Sequence, residues 1–282
     1  MLETDILTAL FALGAALAWG SGDFSGGLAS RRHNVYSVLL AAQLVSIAPL
    51  LVLALVFEQA LPRASDLLAG AVGGVFGVVG LVSLYTGLAR GRMGIVAPLA
   101  AIIASIIPVC IGMITEGAPT LWQTVGFAIA LIAIWLLSSD GGRKLEATPV
   151  ELRFALLAGV GFAAFYLALD SFSGETALWP VFAARLASMS LLALYVSKRR
   201  QWSMPPRPLL PLVALTGLLD TAGNFFFVLA AQAGRLDVAT VVSSLYPAIT
   251  VLFAWLILKE HLKFKQRIGV LTAFAAITLI AL

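Results

Sequence analysis

The sequence predicts an all-α integral membrane protein of ten transmembrane helices in two inverted five-helix repeats. Three observations carry that prediction. Sixty-one per cent of the residues are hydrophobic, 11% are charged, and the mean hydropathy is +1.01. A water-soluble fold of 282 residues needs more surface charge than this, so lipid is the matching solvent. The apolar residues also come in blocks of spanning length, and only helices satisfy the backbone groups of such blocks in hydrocarbon. Finally, Gly91-Arg92 precedes Gln123-x-x-Gly126, and Gly234-Arg235 precedes Gln266-x-x-Gly269 at the same 31-residue spacing from Arg to Gln, shifted by 143.

Charged and Pro/Gly-rich punctuation places the spans at roughly 6–28, 35–57, 66–89, 94–115, 121–138, 152–170, 176–196, 208–232, 237–258 and 264–282. Met1 to Thr8 holds two acids and no base, unlike a secretory signal, so the first span is expected to be retained. Span three carries Gly70, Gly73, Gly74, Gly77 and Gly80, expected as a close-packing face. Span four contains Pro98 and Pro108, and span nine contains Pro247. Each removes a helix hydrogen bond and is a candidate hinge or gate. Cys110, the single cysteine, excludes an internal disulfide and is expected as a small packed residue. The polar connector from Ser138 to Arg153 divides the chain into residues 1–140, a cytoplasmic connector at 141–150, and residues 151–282.

Of the eighteen Lys and Arg residues, fifteen lie in loops after odd-numbered spans. Arg63 and Arg235 follow even-numbered spans, and Arg185 lies inside span seven. Cytoplasmic loops collect basic residues, so both termini are expected on the non-cytoplasmic side. Five spans per unit is an odd number, so the second copy must enter the membrane upside down. Inverted repeats are a common build for secondary carriers, with a site near the midplane.

Charges inside a span are costly and therefore candidates for function. Arg185 in span seven and Asp220 in span eight lie at middle depth on consecutive helices, where they can pair, or receive a substrate carboxylate and ammonium respectively. The plain alternative is a buried pair that only locks two helices. Asp23, between Gly22 and Gly26, and Asp220 are the candidate proton carriers. Trp19, Tyr85, Tyr166 and Tyr246 offer ring faces and hydrogen bonds at similar depths. Ser21, Gln43, Ser83, Asn224, Ser243 and Ser244 complete the candidate polar lining, each with helix–helix bonding as the plain alternative.

Three segments carry a family resemblance. Ala18-Trp19-Gly20-Ser21-Gly22-Asp23-Phe24 resembles the Trp-Gly-Ser motif in the first helix of EamA-type members of the drug/metabolite transporter superfamily. Ala239 to Pro247 resembles that family's ninth helix, and Trp255–Lys259, Glu260 and Gln266-x-x-Gly269 resemble its closing pattern. The resemblance spans the chain and implies a carrier of small polar or amphipathic metabolites working by alternating access. It implies amino-acid export across the inner membrane first, and drug or sugar-metabolite transport by the same fold as the alternative.

Other classes fit less well. His33 and His261, the only histidines, both lie at loops, and no catalytic set, metal cluster, HExxH or Walker loop is present. The expectation is therefore a non-enzyme without cofactor or metal. Its partners are a small-molecule substrate and the lipid bilayer, with no nucleic acid, and it acts as a monomer or weak dimer. A non-transporting scaffold or receptor stays open as a minor alternative.

Overall fold

A computed structural model describes residues 2–30, 32–57, 62–90, 93–115, 117–137, 148–171, 178–200, 202–258 and 264–280. These form eleven α-helices: α1 (Leu2–Ser30), α2 (Val35–Phe57), α3 (Ala64–Arg90), α4 (Met93–Thr115), α5 (Leu121–Leu137), α6 (Pro149–Asp170), α7 (Leu178–Arg199), α8 (Leu210–Ala233), α9 (Leu236–Ser243), α10 (Tyr246–Leu258) and α11 (Phe264–Ile280). Six of them, α1, α2, α3, α6, α7 and α8, are long and apolar enough to cross a membrane, and shorter apolar helices accompany them. Residues 141–147 of the expected connector, with Arg92, Glu260 and His261, lie outside the described residues.

Where helices start, the sequence supplies local stops. Asn34 Oδ1 accepts the backbone N–H groups of Tyr36 at 3.0 Å and Ser37 at 3.3 Å, capping α2. Thr148 and Glu151 form a capping box at α6, with Pro149 in the first turn, where its missing N–H costs nothing. Gln123 of the repeated Gln-x-x-Gly mark does the same work at α5. Its Oε1 accepts from Thr120 N at 3.0 Å, and Gln123 N donates to Thr120 Oγ1 at 3.1 Å. That mark is a helix start.

The expected ninth span is not one helix. It breaks at Ser244 and Leu245, and Pro247 is the second residue of α10. Proline has no N–H to continue a helix from the turn before it, but it fits the first turn of a new one. Its counterpart in the first half, α4, runs unbroken past Ala104 and through Pro108. Cys110, expected to be packed, is exposed on α4. The burial of small residues expected in a soluble core does not hold on the outer face of an apolar helix, where lipid is the natural neighbour.

Helix pairing follows one pattern twice. The main contacts are α1 with α8 and α3 with α6; α2 with α8 and α3 with α7; α1 with α9 and α10, and α4 with α6; α5 with α11; and α2 with α7. Exchanging each first-half helix for its counterpart returns the same list. Glycines permit the closest approaches. A Cβ on Gly74 would collide with the Ala184 carbonyl, and one on Gly217 with the Ala42 carbonyl. These two glycines are 143 residues apart, so one backbone-to-backbone device seats α3 on α7 and α8 on α2. The main apolar cluster runs through both halves, joining Trp19, Leu50, Phe127, Ile134, Tyr166, Leu169, Phe227 and Leu236.

Candidate functional site

Where α1, α2, α3, α6, α7 and α8 converge, they line, with Tyr246 of α10, an open pocket whose space counted out through its mouth is about 660 Å³. A smaller pocket, about 350 Å³ when counted out through its mouth, continues toward the end at which α2 and α8 begin, reaching Leu39, Tyr85 and Thr216. Both are bounded by Trp19, Asp23, Gln43, Leu81, Arg185 and Asp220, so these six residues stand at the junction between the chambers.

Polar side chains at the junction are tied to one another across helices. An Nη of Arg185 donates to Asp220 Oδ2 at 2.5 Å and to Thr221 Oγ1 at 2.7 Å. The Arg185 side chain is 4% exposed and that of Asp220 is 27% exposed, so the pair is buried on the arginine side and open on the carboxylate side. Arg185 Nε has no hydrogen-bond partner. Ser188, one turn further along α7, donates to Gln43 Oε1 on α2 at 3.1 Å. Trp19 Nε1 donates to Asn224 Oδ1 at 2.9 Å, joining α1 to α8. Tyr85 Oη donates to Asp23 Oδ1 at 3.3 Å, joining α3 to α1.

Aromatic rings fill the space behind this network. Trp19 lies 5.6 Å from Tyr166 and 5.7 Å from Phe227, and Tyr166 stacks on Phe227 at 4.7 Å. The buried Tyr246 hydroxyl has no partner and borders the larger void. The rest of the lining is largely apolar, and includes Gly74, Gly77, Val78, Leu81, Leu84, Phe162 and Phe165. The cavity therefore has a charged, hydrogen-bonding side and a dry side.

Eight of the candidate site residues read from sequence line the larger pocket: Trp19, Asp23, Gln43, Tyr166, Arg185, Asp220, Asn224 and Tyr246. Tyr85 lines the smaller one. The serines stand elsewhere. Ser21 Oγ donates back to its own helix at Leu17 O, and Ser243 Oγ donates to Ala12 O at 3.4 Å. Ser83 and Ser244 are buried outside the lining. Pro108 and Pro247 also lie outside it, and the Pro98 side chain lies outside the described residues. Sequence reasoning did not single out Phe162, Phe165, Ser188 or Thr221. The repeat held the signal for Phe162. Gly223 packs on the Trp19 ring and Gly80 on the Phe162 ring, so Phe162 is the counterpart of Trp19.

Comparison with known proteins places this architecture. No curated protein sequence matches the chain. A solved crystal structure, described only as that of a protein, superposes with a TM-score of 0.80 over 98% of both chains at 16% identity, which shows a shared fold. The family model of the EamA-like transporter family matches residues 6–139 and again 151–282, so the two halves are repeats of one unit. With both repeats matched across essentially the whole length, the chain belongs to the EamA-like transporter family, whose members are membrane transporters and not enzymes.

Proposed function

We propose that the protein is a secondary transporter that exports small metabolites, amino acids first, across the inner membrane by alternating access. The observation that carries this reading is the cavity between the repeats, whose polar side is built around the Arg185–Asp220 pair. Carriers need a midplane site that one half can expose to either side by rocking against the other. The repeats are taken as inverted, giving ten spans with α9 and α10 as two pieces of the ninth. Residues 1–140 and 151–282 form the repeats, joined by the cytoplasmic connector at 141–150.

The Lys/Arg bias supports termini on the non-cytoplasmic side. On that topology the smaller void, at the end where α2 and α8 begin, is the cytoplasmic vestibule. Substrate enters through it, passes the Asp23–Arg185–Asp220 junction and leaves from the larger chamber. Asp23 and Asp220 are the groups proposed to carry a proton, and Pro98, Pro108 and Pro247 to shape the moving helices. The cavity is complete within one chain, in keeping with a monomer or weak dimer.

Uptake of a radiolabelled amino-acid panel into proteoliposomes, with and without an imposed proton gradient, tests the reading. Substrate accumulation that responds to the gradient and is lost in Asp23→Asn is the expected result. Vesicles that move nothing would leave a scaffold or receptor as the better account.

A further inference from the structure

The polar side of the larger pocket has donors to spare. Arg185 gives an Nη to Asp220 Oδ2 and Thr221 Oγ1, but its Nε is buried without a partner. Arginine carries five N–H groups and no acceptor, so this Nε can only donate. The Arg185 side chain is 4% exposed, and a donor so deeply buried is costly to leave unmet. Trp19 Nε1 donates to Asn224 Oδ1 at 2.9 Å. An indole N–H cannot accept, so it fixes which end of the amide faces Trp19. The other end, the Asn224 NH2, is a second donor on a residue lining the same pocket. Asn224 follows Asp220 and Thr221, the partners of Arg185, by one turn of α8. Both donors therefore belong to one wall, where α7 meets α8.

A carboxylate answers two such donors. It has two acceptor oxygens, and a hydrogen bond to it from an ionised arginine is shorter and stronger than a neutral one. The planar guanidinium fork holds more than one acceptor at once, so an acid can be received while the Asp220 pair stays closed. Among the described residues lining the pocket, the charged ones are Asp23, Arg185 and Asp220. Two carboxylates thus face one guanidinium. A bare anion would add to that negative excess, whereas a zwitterion adds no net charge. The largely apolar remainder of the lining, Phe162 and Phe165 included, suits an apolar side chain.

We propose that Arg185 Nε and the Asn224 NH2 form a seat for the carboxylate of a zwitterionic ligand with an apolar side chain. Trp19 is the positioning residue, which turns the NH2 of Asn224 toward the ligand. The seat deepens the transporter reading and rests on it only for the statement that the ligand is moved as well as bound. The Arg185–Asp220 pair is then part of the frame of the seat and not a lock that the ligand must open. In the first repeat the counterparts of Arg185 and Asn224 are Ala42 and Leu81, so the seat belongs to the second repeat alone.

Calorimetric titration of the purified full-length protein in detergent, near neutral pH, tests the seat with phenylalanine, phenylalaninamide and phenylethylamine. The amide offers only a neutral acceptor and is expected to bind about tenfold more weakly than phenylalanine. Phenylethylamine offers none and is expected to bind at least about thirtyfold more weakly, because a site built to bond a polar group rejects the analogue lacking it. Asn224→Asp keeps the volume and the bond from Trp19 but puts an anion where the NH2 stood. It is expected to lower phenylalanine affinity at least about thirtyfold without weakening phenylethylamine. Trp19→Phe frees the amide to turn and is expected to cut the preference for phenylalanine over phenylethylamine about fivefold, a selectivity change that lost stability alone does not produce. Either amine binding as tightly as phenylalanine, silence from phenylalanine, or a preference that survives Asn224→Asp overturns the seat. The ligand series on the unaltered protein decides the matter even where a variant fails to fold. Counterflow of the same compounds in proteoliposomes separates the two readings. Phenylalanine that binds with this preference but never crosses the vesicle membrane sinks the transporter reading and leaves the seat standing. Phenylethylamine exchanged as fast as phenylalanine does the reverse.

Discussion

The seam between α1 and α8 and the seam between α6 and α3 occupy equivalent places in the two repeats, yet one is polar and the other dry. In the first, Trp19 donates to Asn224, Ser25 meets Thr216 at 2.9 Å, and Gly22 lies against the backbone of Asp220. In the second, shifting each residue by 143 positions, Phe162 replaces Trp19 and Leu81 replaces Asn224. Ala168 touches Gly73 where Ser25 meets Thr216, and Phe165 packs on Gly77 where Gly22 meets Asp220. The bulky partner has changed sides at that last position. Backbone spacing is thus a property of the repeat, while chemistry is a property of each copy. Gly74 and Gly217, and Gly80 and Gly223, keep their register, while side chains around them have diverged into a charged wall and an apolar wall.

The first way to break this comparison is to attack what the two sides share. Gly74→Leu and Gly217→Leu each drive a side chain into a neighbouring backbone carbonyl, a clash that no rotamer relieves. Both should abolish folded protein, at a cost above about 3 kcal/mol each, seen as loss of the monodisperse peak in size-exclusion chromatography. If only one is lethal, the two sides are not held by the same device.

Next comes the polar wall. Arg185→Ala strands Asp220 and should cost about 3–5 kcal/mol in thermal or denaturant unfolding, whereas Arg185→Ala with Asp220→Ala should recover most of that loss. Equal damage from the single and double variants would mean the pair is not electrostatically coupled. On the dry wall, Phe165→Ala opens space beside Gly73 and Gly77. It should cost about 3 kcal/mol and widen the size range of competing substrates. An unchanged size limit would place the substrate's apolar end elsewhere. The smallest effect belongs to Trp19→Phe, which makes the first seam resemble the second. Losing the bond to Asn224 should cost about 0.6–1 kcal/mol, readable as a Tm shift of a few degrees at most.

Much of this was legible in the chain because membrane solvent punishes exceptions. Arg185 and Asp220 are charges at middle depth on consecutive spans, so their meeting follows from the costs of lipid burial. Trp19, Tyr166 and Tyr246 were visible because large amphipathic side chains at one depth are rarely idle. Serines misled for a physical reason. A hydroxyl in hydrocarbon can satisfy itself on its own helix, as Ser21 does on Leu17, and then says nothing about a cavity. Phe162 and Phe165 were hidden because an apolar ring facing substrate and one facing lipid look alike in sequence. The break at Ser244 was missed because Pro247 reads equally well as a kink within one helix or as the first turn of a second.

The Arg185–Asp220 contact also bears on how the chain is made. Each charge alone, near the middle of its span, carries an insertion penalty of about 2.5–3.5 kcal/mol. The two lie 35 residues apart on α7 and α8, which leave the ribosome in succession. A nascent α7 that has entered lipid carries an unanswered cation until α8 is synthesised. The two helices are therefore best inserted together as a hairpin, with the ion pair formed before either faces lipid alone. The residues that give the mature cavity its polar wall thus also favour entry of α7 and α8 into the bilayer as one unit.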